Sequence, residues 1–94
     1  MVSKMTSEHL DDARLTAIEN RAQAARPGPW RSFVEGRDHQ SGSSFVMVGE
    51  GGARGDDIEL SGATVADQDF IAHARDDVPA LIAEVRRLRA LHGG

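Results

Sequence analysis

Residues 35 to 44 read Glu-Gly-Arg-Asp-His-Gln-Ser-Gly-Ser-Ser and carry the densest chemistry in the chain. A guanidinium, an imidazole, two carboxylates, an amide and three hydroxyls sit beside two glycines. Such a loop is able to hold a phosphate or a polar small molecule through Arg37, His39 and the backbone N–H groups around Gly42, with Asp38, Ser41, Ser43 and Ser44 as further contacts. The same composition also describes a solvated hairpin loop rich in turn formers. Trp30, the single tryptophan, follows Pro27-Gly28-Pro29. It is either the largest plug of a small core or a stacking platform for a base or another ring.

Other chemistries find little footing. The P-loop pattern GxxxxGK followed by Ser or Thr does not occur, and neither does the GxSxG nucleophile elbow. Asp38 beside His39 does not make a triad by adjacency. With no cysteine there is no thiolate nucleophile or ligand and no disulfide. His9, His39, His73 and His92 lack the paired spacing of a zinc site. The reading is a non-enzyme without metal or cofactor.

The elements that must position this loop follow from periodicity. From Asp67 to Leu91, Phe70, Ile71, Ala74, Val78, Leu81, Ile82, Val85, Leu88 and Leu91 recur at threes and fours, an apolar stripe along a helix. Thr64 with Asp67 three residues on resembles a capping box. Pro79 interrupts the pattern and predicts a break or kink near residues 76–78, giving helices over 65–76 and 78–91, the first closing the sheet with Phe70 and Ile71. Val78, Leu81, Val85 and Leu88 form a two-heptad seam suited either to the chain's own sheet or to a second helix. Arg86, Arg87 and Arg89 place positive charge at the helix C-terminus, where it meets the dipole. Upstream, residues 7–25 read as a helix capped by Thr6 or Ser7, with a narrow stripe of Leu15, Ile18, Ala22 and Ala25, ended by the Pro-Gly-Pro segment. Strands are predicted over 30–35, 43–48 and 57–61. The expected architecture is α+β: a three-stranded antiparallel meander flanked by an N-terminal helix and a C-terminal helix broken near Pro79. Residues 1–6 read as a disordered leader and 7–92 as one domain.

A chain of 94 residues has a thin core, which favours homo-oligomerisation. Its net charge of −4, with 15 acidic and 11 basic residues, argues against a duplex nucleic-acid binder. No apolar run reaches the roughly 18 residues that cross a bilayer, so neither membrane nor signal peptide is expected and the location reads as cytoplasmic.

Pro27, Gly28, Pro29 and Trp30, followed by Asp67, Phe70, Ile71 and Ala72 and then Val78, Leu81 and Glu84, make the chain resemble small phage and prophage proteins similar in layout to the Ead family of lambdoid phages. Those have a PGPW segment after a short helix, a variable strand-rich middle, a D-x-x-F-I-A helix and a V-x-x-L-x-x-E terminal helix. The resemblance spans about half of the chain and implies an accessory role in a host cell, with no site residues. Two expectations follow: a non-catalytic protein sequestering an anionic small molecule such as a host nucleotide signal, or a module that binds a host protein through its C-terminal helix.

Overall fold

The computed structural model describes residues 10–93. The expected leader and the caps Thr6 and Ser7 lie outside them. The first described helix, α1 (Asp12–Ala24), is capped by Asp11, whose carboxylate accepts the N–H of Arg14 at 2.8 Å. Pro27 and Pro29 carry the chain away from it into β1 (Trp30–Phe33), which pairs antiparallel with β2 (Phe45–Val48) in the register Trp30 to Val48 and Phe33 to Phe45. A Cβ on Gly28 would lie 2.9 Å from the Asp76 carboxylate, so this connection hugs the last helix, α2 (Val65–Leu91). Arg75 donates to the Arg26 carbonyl at 3.1 Å across the same approach.

The coarse class is α+β, and two details of the expected architecture are corrected. The third strand is not formed. Only Ile58 pairs with Val46, giving and taking one backbone hydrogen bond each (2.9 and 2.8 Å), before Leu60 and Ala63 close a turn. Upstream, Gly49 and the short 3-10 turn Gly51–Ala53 fold the chain back so tightly that a Cβ on Gly49 would meet the Ala53 carbonyl at 2.3 Å. Squeezed between two turns, the segment has one residue in register. β2 is nonetheless flanked on both edges, which accounts for its burial at Val46 and Val48.

The second correction concerns Pro79: α2 runs unbroken for 27 residues through it. Proline deletes one hydrogen bond, to the Arg75 carbonyl, at a local cost of about 3 kcal/mol. Against that stand Ile71 and Val78 on one side of it and Ile82 and Val85 on the other, Ile82 buried and the other three half-buried against neighbouring elements. One continuous apolar stripe on α1 and the sheet outweighs the lost bond. The capping box is present, with Thr64 accepting the Asp67 N–H and Asp67 accepting the Thr64 N–H, both at 3.0 Å.

The sheet does not meet Phe70, as the helical pattern led one to expect. It meets Gln68 and Ala72, one turn apart on α2. The Gln68 amide, 5% exposed, donates toward Ser32 Oγ (2.9 Å), the Phe45 carbonyl (3.1 Å) and the Phe33 carbonyl (3.2 Å), clamping the end of the ladder to the helix. Phe70, two residues on, is 74% exposed. The C-terminal half of α2 packs instead on α1, where Leu15 and Ile82 are buried. Arg86 with Glu19 and Arg89 with Asp12, each at 2.8 Å, join these antiparallel helices, and Arg89 also donates to the Leu10 carbonyl. No helix among the described residues is long and apolar enough to cross a membrane.

Candidate functional site

The loop after β1 is organised by its own side chains. Val34 follows the strand, and its N–H donates to Asp38 Oδ2 at 2.8 Å while its carbonyl accepts from the N–H groups of Arg37 and Asp38. Gly36 turns the chain at φ 86°, where a side chain would be strained. Glu35 accepts the Gly42 N–H at 2.7 Å, and Ser44 Oγ accepts the Glu35 N–H at 3.1 Å. The His39 ring lies against Phe45 and Phe33, with centroids 5.2 and 6.3 Å away. Its Nδ1 accepts the Ser41 N–H at 3.0 Å, leaving the proton of the neutral ring on the buried Nε2, which has no partner among the described residues.

Arg37 donates to both oxygens of Asp69, on α2, at 2.8 and 3.1 Å, and its Nε donates to Asp38 at 3.0 Å. These bonds raise the Arg37 pKa, Asp69 contributing most. In return the Asp69 carboxyl falls to about 2, chiefly through Arg37 and then through a hydrogen bond from Ser32. Asp38 is lowered by Arg37 and by the Val34 N–H. The loop's one cation is therefore already paired with two carboxylates, and Ser44, Ser41 and the Gly42 amide are used within the turn. An anion arriving here must displace Asp69. Asp69 is the residue that the sequence reading passed over, and a lone arginine in a polar loop gives no clue to which distant carboxylate it will reach.

Trp30 is not gathered with this loop. β1 separates the two, and the tryptophan forms the floor of an apolar groove between α1 and α2 of about 370 Å³. Ile18, Ala22 and Ala25 make one wall; Phe70, Ala74 and Val78 make the other. Trp30 is half-buried, its indole N–H covered yet unpartnered among the described residues. A second apolar crevice of about 220 Å³ continues along the helices, lined by Leu15, Ile18, Val78, Leu81, Ile82 and Val85.

The seam expected on the last helix divides. Val78 and Val85 are half-buried against α1, whereas Leu81 (64%) and Leu88 (42%) face outward with Phe70 and Leu91. At about 100° per residue those four outward side chains fall within a sector of about 80°, on the side of α2 opposite Gln68 and Ala72. From Phe70 to Leu91 the stripe is about 32 Å long at 1.5 Å per residue. Of the three terminal arginines, Arg87 pairs within the helix with Glu84 at 2.5 Å, lowering that carboxyl, while the other two hold α1. Among the described residues no group of three His, Cys, Asp or Glu side chains converges as a metal site would. No family model, curated protein or solved structure matches the chain.

Proposed function

We propose that the chain is a non-catalytic binding module whose working surface is the α1–α2 groove together with the exposed stripe Phe70, Leu81, Leu88 and Leu91. The single observation behind this reading is the imbalance of apolar side chains. Six are buried as the core, namely Leu15, Val34, Val46, Val48, Ala72 and Ile82, while among the described residues five large ones are exposed, four of them, Phe70, Leu81, Leu88 and Leu91, on one side of one helix and the fifth, Val65, at its start. An exposed row of large apolar side chains, here interrupted by Asp77 and Glu84, is a feature of interaction sites. Its shape, a furrow between two helices, suits an amphipathic helix from another protein chain. The accessory role implied by the phage-like layout gives such a module its setting, with a host protein as one class of partner.

The test is capture of one stoichiometric protein partner by the tagged chain. Binding lost in Leu81→Asp plus Leu88→Asp, with unchanged circular dichroism, supports the reading; binding indifferent to both substitutions refutes it. Sequestration of an anion by the Arg37 loop is the lesser proposal, because Asp69 already occupies the guanidinium. A thermal-shift screen with nucleotides and cyclic oligonucleotides decides it, and no shift with any of them removes it.

A further inference from the structure

Backbone N–H and C=O groups taken out of water need partners, and β1 leaves four of them without one at regular spacing. Val46 exchanges both of its backbone bonds with Ile58, Val48 gives its carbonyl to the Gly55 N–H, and Pro29 accepts the Gly49 N–H. Bonded and non-bonded pairs alternate along an antiparallel ladder, so Ser32 and Trp30, opposite Val46 and Val48, turn their N–H and C=O groups away from β2. On that side β1 has no neighbouring strand, and these four groups have no partner among the described residues. Both residues are half-buried, because α2 lies chiefly over β1. The open edge is short and closed at each end. Pro29 has no N–H, and the Val34 N–H and carbonyl are held by Asp38 and the turn that follows.

We propose that this edge binds an extended segment of another protein, added to β1 as an antiparallel strand with an acidic side chain opposite Arg31. Two residues of such a segment, two apart, exchange both backbone bonds with Trp30 and Ser32, which makes four bonds over three residues. A parallel segment needs five residues for the same four, and the closed ends favour the shorter one. Arg31 sets the chemistry. Ser32 Oγ meets Gln68 of α2, so Arg31, one residue earlier, lies on the opposite face of the sheet. Its guanidinium is more than half exposed and 3.3 Å from Glu50. A side chain directly opposite on an added strand comes within reach of it, and an acid is attracted where a base is repelled. A second copy of the chain fits badly on both counts. The two-fold axis that pairs Trp30 with Ser32 of a second copy sets Arg31 against Arg31. It also sets two α2 helices over strands about 4.8 Å apart, where packed helices need about 8–10 Å. Phe70, Leu81, Leu88 and Leu91 lie on the side of α2 away from the sheet, so binding at this edge is independent of the face proposed above.

Amide exchange of the full chain, read by NMR with the acetylated and amidated peptide Thr-Val-Thr-Glu-Thr-Val-Thr as probe, provides the test. Its central Glu faces Arg31 and one Val faces Phe33. At about 2 mM peptide and a Kd of about 0.5 mM, one chain in about five is free, so exchange of the Trp30 and Ser32 N–H groups slows about fivefold. Replacing the central Glu by Lys weakens binding by about threefold or more, and Arg31→Glu reverses that order. Circular dichroism confirms that Arg31→Glu, at an exposed position, still folds. N-methylation of the two threonines beside the Glu removes binding, whereas N-methylation of the Glu itself, whose N–H points away from β1, leaves it. Binding persists in Leu81→Asp plus Leu88→Asp. Trp30 and Ser32 amides that exchange at one rate with and without peptide overturn the site. Equal binding of the Glu and Lys peptides overturns the selection by Arg31. Protection that appears without peptide and grows with protein concentration overturns the foreign segment in favour of a second copy.

Discussion

Replacing Gln68 with Met removes the amide while keeping the length of the side chain, and it tests whether one buried polar group sets the angle at which α2 presents its stripe. Gln68 Nε2 has two hydrogens and three acceptors within 2.9 to 3.2 Å, so it makes two full bonds at a time. Each buried neutral bond contributes about 1 kcal/mol net, and an acceptor left without a donor adds about 1–3 kcal/mol. Ser32 is able to turn its hydroxyl elsewhere, and the two strand carbonyls have a second lone pair to lose. Setting the apolar gain of the thioether against this leaves a destabilisation of about 2–3 kcal/mol. At about 4–8 °C per kcal/mol for a domain of this size, the Tm falls by about 8–24 °C. Urea unfolding followed by circular dichroism measures it, with an unchanged slope showing that the same structure unfolds. Gln68→Glu sharpens the result, since a carboxylate against two carbonyls has its folded-state pKa raised. That penalty is full at neutral pH and is relieved as the pH falls through the raised value. A Gln68→Met midpoint within about 0.5 kcal/mol of the parent would refute the argument that this amide holds helix and sheet together.

Two further outcomes follow from the same contacts. Asp69 has its carboxyl lowered to about 2 from an ordinary value of 3.8, so the stability it lends the Arg37 loop is complete above about pH 4 and is lost as the pH falls from there toward 2. Amide exchange over residues 35–44 that accelerates across that window supports the pairing, and a carboxyl carbon resonance of Asp69 titrating near 4 excludes it. Pro79→Ala restores the bond to the Arg75 carbonyl in a helix that is already continuous, and should raise stability by about 1–3 kcal/mol in urea unfolding. A loss of stability would show that the ring is packed as part of the core.

Much of the local structure was legible in the residues. Thr64 and Asp67 announce the start of α2 because a capping box is a short-range arrangement of four residues. Pro27 and Pro29 end the first helical segment by removing N–H groups, and alternation and apolar runs locate β1 and β2 within two residues. The sequence also pointed to a polar loop at residues 35–44 and to a seam of Val78, Leu81, Val85 and Leu88, which the fold divides into half-buried valines and exposed leucines. These are properties that a chain segment carries by itself.

What only the tertiary structure decided was partnership. Whether Pro79 breaks the helix depends on what covers Val78 and Ile82, and α1 covers them. Whether residues 57–61 form a strand depends on the turns at each end, which leave only Ile58 opposite Val46. Whether Arg37 is free for an anion depends on Asp69, 32 residues away, and helix packing brings it to 2.8 Å. Phe70 reads as core by type and spacing, yet Gln68 takes the place against the sheet because the exposed end of a two-stranded ladder needs a donor more than another ring. Spacing along a helix shows which side chains share a face. Which face is covered, and by what, depends on contacts between residues far apart in the chain.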